Sequence, residues 1–190
     1  MAVIYVSIGT CIERQRNVRA AVAALRWQFG RVRCSAVYET EAFGFSGDPF
    51  YNLVTRFESR LTPLEIKQIL RAIESRQGRQ RAIPMPGPCP LDLDLLLYDD
   101  RVVNSEALRL PRPDILRHAY VLEPLAELEP GGVHPLALRA YAALWCDYQR
   151  LHPTAGGLRL AWDPLTRPRE TGWGYPVYTQ VGRVNPDAPM

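Results

Sequence analysis

Nowhere in the sequence do about 18 apolar residues run together, so nothing in it reads as a membrane-spanning helix. It has no CxxC pair either. The four cysteines, Cys11, Cys34, Cys89 and Cys146, lie far apart, which argues for free thiols and against a disulfide framework or zinc module. His118, His134 and His152 lack metal-ligand spacing, and His134 with Pro135 reads as a turn. Lysine is almost missing: every basic residue except Lys67 is arginine, and a net charge of +3 is too small to mark a nucleic-acid binder. The opening MAVIYVSIGT has no basic region and runs straight into a strand pattern. It does not read as a signal peptide, and a cytoplasmic protein is expected. Neither a P-loop nor a GxGxxG follows that first strand, so a nucleotide would not be held by the commoner phosphate loops.

What is present fits one sizeable domain, expected over residues 1–150, followed by an irregular extension, 151–190, rich in Pro, Gly, Trp and Tyr. Alternation predicts a strand from about Ala2 to Ile8, closed by Gly9. Val18, Val22, Leu25 and Phe29 then fall at helical spacing, and Gly30 ends that helix. VRCSAVYET and NLVTRFESRL read as strands, separated by the glycine- and aromatic-rich loop EAFGFSGDPFY. Thr62, Pro63 and Glu65 combine a capping threonine, a proline at the first helical position and a glutamate three residues after the cap. The second helix therefore starts there, with Leu64, Ile66, Ile69, Leu70 and Ile73 as its buried stripe. An irregular segment with four prolines leads into the strand LDLDLLLY, and beyond it lie a hairpin, DRVVNSEALRL, a helical piece, AYVLEPLAEL, and a last helix around Leu136 to Arg150. The order β-α-β, β-α-β predicts an α+β ferredoxin-like sandwich: a four-stranded antiparallel sheet with helices packed on one face.

The strand LDLDLLLY contains two acids where a buried strand should carry apolar residues. Residues i and i+2 of a strand sit about 7 Å apart on one face, so Asp92 and Asp94 project together while Leu91, Leu93 and Leu95 point the other way. Paired carboxylates repel, and one should take up a proton unless a cation lies between them. Magnesium would remove the conflict, since hard divalent ions take carboxylate oxygens together with substrate phosphates. A solvated strand face laced with salt bridges is the other reading of the pair. Arg79 and Arg81 precede the acids and Arg109, Arg112 and Arg117 follow them, an array suited to phosphoryl transfer, where positioning and charge neutralisation do most of the work.

The ordered set VSIGT with RNVRAAVAAL, VYETEAFGFSGDPFYNLV, IESRQGRQR, LDLDLLLYDD and LPRPDILRHAYVLEPLAEL, then HP, resembles the hydroxymethyl-dihydropterin pyrophosphokinases of folate biosynthesis over roughly Ala2 to Pro135. The resemblance implies a ferredoxin-like fold and transfer of pyrophosphate from ATP, the co-substrate, to the hydroxymethyl group of 6-hydroxymethyl-7,8-dihydropterin, releasing AMP. It also implies that Asp92 and Asp94 hold two magnesium ions and, with Arg79, carry the chemistry. Glu74, Arg79, Arg81, Arg112 and His118 would then serve ATP, and Thr40, Phe43, Phe50, Asn52 and Tyr120 the pterin, with Tyr51 an alternative to Phe50 as stacking partner. ATP and the reduced pterin are the expected partners of a monomer, with neither nucleic acid nor membrane.

The sequence departs from this pattern at several places. Cys89 stands where a phosphate-binding arginine is usual, Pro90 replaces a threonine, Pro86 an aromatic and Cys11 an asparagine, while RPD, Arg112 to Asp114, replaces HPR and His118 an arginine. A lost charge-assisted hydrogen bond of about 1.5 to 3 kcal/mol would cost on the order of 10- to 100-fold. A binding protein of the same fold without turnover therefore stays open beside the enzyme. A ferredoxin-like RNA- or protein-binding module fits less well, since two exposed aspartates would repel phosphates.

Overall fold

In the computed structural model, residues 1–42, 47–79, 89–160 and Pro164 are described. Strand β1 (Ala2–Thr10) is followed by helix α1 (Arg14–Phe29), β2 (Arg33–Cys34), β3 (Val37–Thr40), β4 (Phe50–Ser59), helix α2 (Pro63–Arg76) and β5 (Asp92–Tyr98). The chain continues through β6 (Val103–Asn104), β7 (Arg109–Leu110), helices α3 (Asp114–Arg117), α4 (Ala119–Leu128) and α5 (Tyr141–Leu151), and β8 (Leu158–Leu160). The main sheet runs β5-β1-β4-β3-β8 with β2 also on β4, and all its pairings are antiparallel.

The even-numbered side chains of β1, Ile4, Val6 and Ile8, join Leu53 and Phe57 of β4 and Leu91, Leu93 and Leu95 beside β1 to form the floor under α1 and α2. Val18, Val22 and Leu25 come down from α1, and Ile66, Leu70 and Ile73 from α2. Burying each such side chain is worth about 1.5 to 3 kcal/mol, so this layer holds the sandwich together. The expected capping box forms: Glu65 N–H donates to Thr62 Oγ1 at 3.4 Å, and Glu65 Oε2 accepts the Thr62 N–H at 2.6 Å.

The sandwich matches the sequence-based expectation, and three features add to it. First, β1 does not stop at Gly9 but continues to Thr10, because the bare face of Gly9 lets neighbouring strands close around it. Second, α4 and α5 cover much of the other sheet face, where Tyr5, Val54, Leu96 and Leu97 meet Val121, Leu122, Leu125 and Tyr141. Third, β8 forms where no periodicity announced a strand, and its partner supplies the order: Val37 pairs with Leu160 and Tyr38 with Arg159. The last helix starts at Tyr141 rather than near Leu136. His134 Nδ1 accepts the N–H groups of Leu136 and Ala137, at 3.2 and 3.0 Å, and holds that stretch in a turn.

Candidate active site

The part of the second sheet face that α4 and α5 leave open among the described residues is built from the C-terminal end of β1, the start of β5 and the facing ends of β3 and β4. In register, Asp92 lies opposite Gly9, and Gly9 opposite Asn52, while Ser7 lies opposite Asp94. Gly9 is closely approached: a Cβ there would sit 3.3 Å from Asn52 Oδ1 and 3.9 Å from Asp92 Cβ. With no side chain on Gly9, Asp92 and Asn52 flank it from either side on one face. Asn52 Nδ2 donates to Thr40 Oγ1 at 2.8 Å, and Asn52 is buried. Strand alternation puts Phe50, paired with Thr40, on the face of Asn52. Tyr51 points to the opposite face, packed against the helix layer and with the Arg14 guanidinium 4.4 Å above its ring.

Each aspartate has an arginine. Arg79 Nη1 donates to Asp92 Oδ1, to the Leu91 carbonyl at 3.0 Å and to Glu74 Oε1 at 3.0 Å. Glu74 lies beneath the face, 1% exposed, and the same Oε1 accepts the Leu93 N–H at 2.9 Å, so it braces Arg79 and the start of β5 together. On the other side Arg112 Nη2 lies 2.9 Å from Asp94 Oδ2, and its Nε lies 2.6 Å from Asp114 Oδ2. A bulge places that arginine. The register between β1 and β5 slips between Tyr5 and Val6, and the Arg112 N–H donates to the carbonyl of the extra residue, Leu96, at 2.9 Å.

Burial, first, and then the neighbouring Asp92 push the Asp94 carboxyl up to about 7, and Arg112 only partly offsets them. The conflict between paired acids, expected from spacing alone, is thus present in the fold. The donor set suits a hard cation: two carboxylates on one face, with no third acid, histidine or cysteine grouped with them among the described residues, so that phosphate oxygens and water would complete the shell. His118 stacks on Tyr120, ring centroids 4.9 Å apart, with Nε2 3.9 Å from Asp114 Oδ1. Burial lowers the His118 pKa, more than Asp114 raises it. Tyr120 packs on the same sheet face as the acids, and burial, followed by the charges of Asp114, Asp92 and Asp94, pushes its hydroxyl up to about 12.

The fold therefore brings together Thr40, Phe50, Asn52, Arg79, Asp92, Asp94, Arg112, His118 and Tyr120 along one face, with Glu74 under it. Phe43 and Arg81 lie outside the described residues. Two contributors escaped sequence reasoning: Gly9, taken for a strand end, and Asp114, which pairs with Arg112. The acid two positions after Arg112 was a usable signal for the second.

Residues 5–130 match the family described as 7,8-dihydro-6-hydroxymethylpterin-pyrophosphokinase (HPPK). The chain belongs to this family. It is similar to the 2-amino-4-hydroxy-6-hydroxymethyldihydropteridine pyrophosphokinases of Aquifex aeolicus, 30% identical over 72% of this chain and 86% of the relative, and of Synechocystis sp., 36% identical over 76% and 75%. A crystal structure of Plasmodium falciparum HPPK-DHPS with pteroate shares the fold, with a TM-score of 0.65 at 13% identity over 80% of this chain and 43% of that one. As a member of the HPPK family the protein is a pyrophosphokinase.

The departures at Cys11 and Cys89 turn out to be neighbours. Cys89 N–H donates to Cys11 Sγ at 3.1 Å, Cys11 N–H to the Cys89 carbonyl at 3.2 Å, and Cys89 Sγ to the Leu91 carbonyl at 3.2 Å. Asn17 Nδ2 and Thr10 Oγ1 hold the adjoining Pro90 carbonyl, at 2.9 and 2.6 Å. Cys89 is 3% exposed, and burial pushes its thiol up to about 11, so it sits in this chain as a small packed side chain. Restoring the usual residue is therefore expected to fail. Cys89→Arg forces a guanidinium into a closed site, and we expect it to destabilise the fold by roughly 2 kcal/mol or more and not to raise turnover. Thermal melting alongside an activity assay checks this; a faster enzyme of unchanged stability would show that the position opens to the phosphates.

Proposed function

We propose that the protein transfers the β,γ-pyrophosphoryl group of ATP to the hydroxymethyl oxygen of 6-hydroxymethyl-7,8-dihydropterin, with Asp92 and Asp94 holding two magnesium ions and one chain forming the whole site. The observation that carries this reading is the register at Gly9, which sets a carboxylate pair beside the Thr40–Asn52 pair on one face. Bound there, magnesium would neutralise phosphate charge and relieve the repulsion that raises the Asp94 pKa.

The protein's own groups divide the remaining work. Arg79 and Arg112 fix the two carboxylates in place and present their remaining N–H groups toward the phosphates. His118, held low in pKa, offers a neutral ring stacked on Tyr120, where nucleotide and pterin would meet. At the other end Asn52 and Thr40 supply donors and acceptors for the polar edge of a pterin. Phe50 and Tyr120 would take the two faces of its ring, since offset aromatic contacts add about 0.5 to 1.5 kcal/mol beyond burial. So held, the hydroxymethyl oxygen would attack the β-phosphorus: its bond to that phosphorus forms as the bond to the AMP oxygen breaks, and its proton is released to water.

Incubation with ATP, magnesium and the reduced pterin should yield AMP and pyrophosphorylated pterin in equal amounts, neither forming without pterin. Pterin binding without AMP release would reduce the protein to a binding member of its family.

A further inference from the structure

The segment after α5 returns to the sheet edge, where β8 pairs with β3. One step beyond the last register pair, Gly157 comes level with Thr40. A Cβ on Gly157 would lie 2.9 Å from Thr40 Cγ2, 3.0 Å from the Glu39 carbonyl oxygen and 3.0 Å from Tyr38 Cβ, closer than side chains tolerate. The Gly157 N–H donates to Glu123 Oε2 at 2.9 Å. Glu123 stands on α4, three residues after Tyr120 and so on the same side of the helix. One turn on, Glu127 accepts from the Ala36 N–H, the Tyr38 hydroxyl and Arg159, each at 3.0 Å. The helix that carries Tyr120 and the strand that carries Thr40 are thus fastened to each other directly at Glu127 and, nearer Thr40, by way of residues 157–159.

We propose that Gly157 and Glu123 form a clasp that sets the width of the pterin pocket, with Gly157 the positioning residue for Thr40 and Glu123 the one for Tyr120. The inference rests on the assignment of Thr40, Asn52 and Tyr120 to the pterin. Thr40 Oγ1 accepts from Asn52 at 2.8 Å, so any side chain at 157 must move the acceptor that orients the Asn52 amide. The surroundings cannot yield instead, because β3 is paired on both sides, to β4 and to β8. Residues 157–160, which have no chemistry of their own in this reading, become a wall of the substrate site.

The test uses the full chain with Gly157→Ala, Glu123→Ala and Glu123→Gln, measuring KM for each substrate, pterin Kd by fluorescence in the presence of a non-hydrolysable ATP analogue, and thermal melting. Gly157→Ala and Glu123→Ala should raise the pterin KM and Kd about tenfold with the ATP KM unchanged, since a lost or displaced hydrogen bond is worth about one such factor. Glu123→Gln, whose amide oxygen still accepts the Gly157 N–H, should bind pterin as the parent does. Unchanged pterin binding in the two alanine variants, an equal rise in both KM values, or a Glu123→Gln as poor as Glu123→Ala would each overturn the clasp. Should Gly157→Ala not fold, the Glu123 pair decides. Thr40→Val and Asn52→Ala run in parallel: if they leave pterin Kd unchanged, the pterin assignment fails and the clasp with it, whereas if they weaken it and the clasp variants do not, the clasp alone is wrong.

Discussion

Replacing Asp92 or Asp94 by alanine should lower pterin-dependent AMP release by about 10²- to 10³-fold or more, the scale on which a single preorganised charge contact acts in a transition state. The two variants should be about equally poor and the double variant little worse, because groups that act as one unit do not add. Without magnesium and substrates, removing the Asp94 charge while keeping its shape should stabilise the fold. Burial and Asp92 raise the Asp94 pKa from its unfolded value of 3.8 to about 7. The stability that goes with the protonated acid is present below pH 4 and is lost as pH rises through about 7. Asp94→Asn should therefore melt higher than the parent at pH 8, by roughly 1 kcal/mol or about 2 to 4 °C for a chain of this size, with the gap closing toward pH 4. Equal melting temperatures at pH 8, or a variant that keeps its turnover, would mean that the pair is a solvated strand face and not a site held at a cost to stability.

The elements that carry the site were legible wherever the signal was local. Alternation marked β1 and β5, helical spacing marked α1 and α2, and the cap at Thr62 fixed where α2 begins. The aspartates stood out because they broke a pattern that Leu91, Leu93 and Leu95 otherwise kept. Less legible were the features set by partners distant in sequence. β8 is a strand because the edge of β3 is open to it, and its own residues carry no alternation long enough to say so. Gly9 reads as a stop in one dimension and as the place between Asp92 and Asn52 only when β4 and β5 stand on either side. Which of Phe50 and Tyr51 shares the face of Asn52 likewise follows from one register pair, Thr40 with Phe50, since a shift of a single residue would exchange the faces. Cys89 shows the same limit: as a letter it is a missing arginine, and in the fold it is a thiol packed against Cys11.

Glu74→Ala should be the most destabilising single change at the site, costing about 3 kcal/mol, or roughly 6 to 12 °C, although Glu74 is buried beneath the face that carries the aspartates. Two losses combine. The Leu93 N–H, buried at the start of β5, loses its acceptor, and Arg79, whose side chain is 11% exposed, loses one of the two carboxylates that offset its desolvation. Glu74→Gln should fall between alanine and the parent, since its amide oxygen can keep the Leu93 bond while its NH₂ opposes Arg79. Chemical denaturation measures both, and the midpoint should drop with an unchanged slope if the native state alone is affected. Turnover should fall as well, because Arg79 without its brace no longer fixes Asp92. The sequence resemblance pointed instead to a direct contact between Glu74 and ATP, and the two roles separate cleanly. A Glu74→Ala protein of normal stability whose only defect is a higher KM for ATP would return Glu74 to the nucleotide. A protein that melts early and loses affinity for magnesium would place it under Asp92, where its hydrogen bonds are.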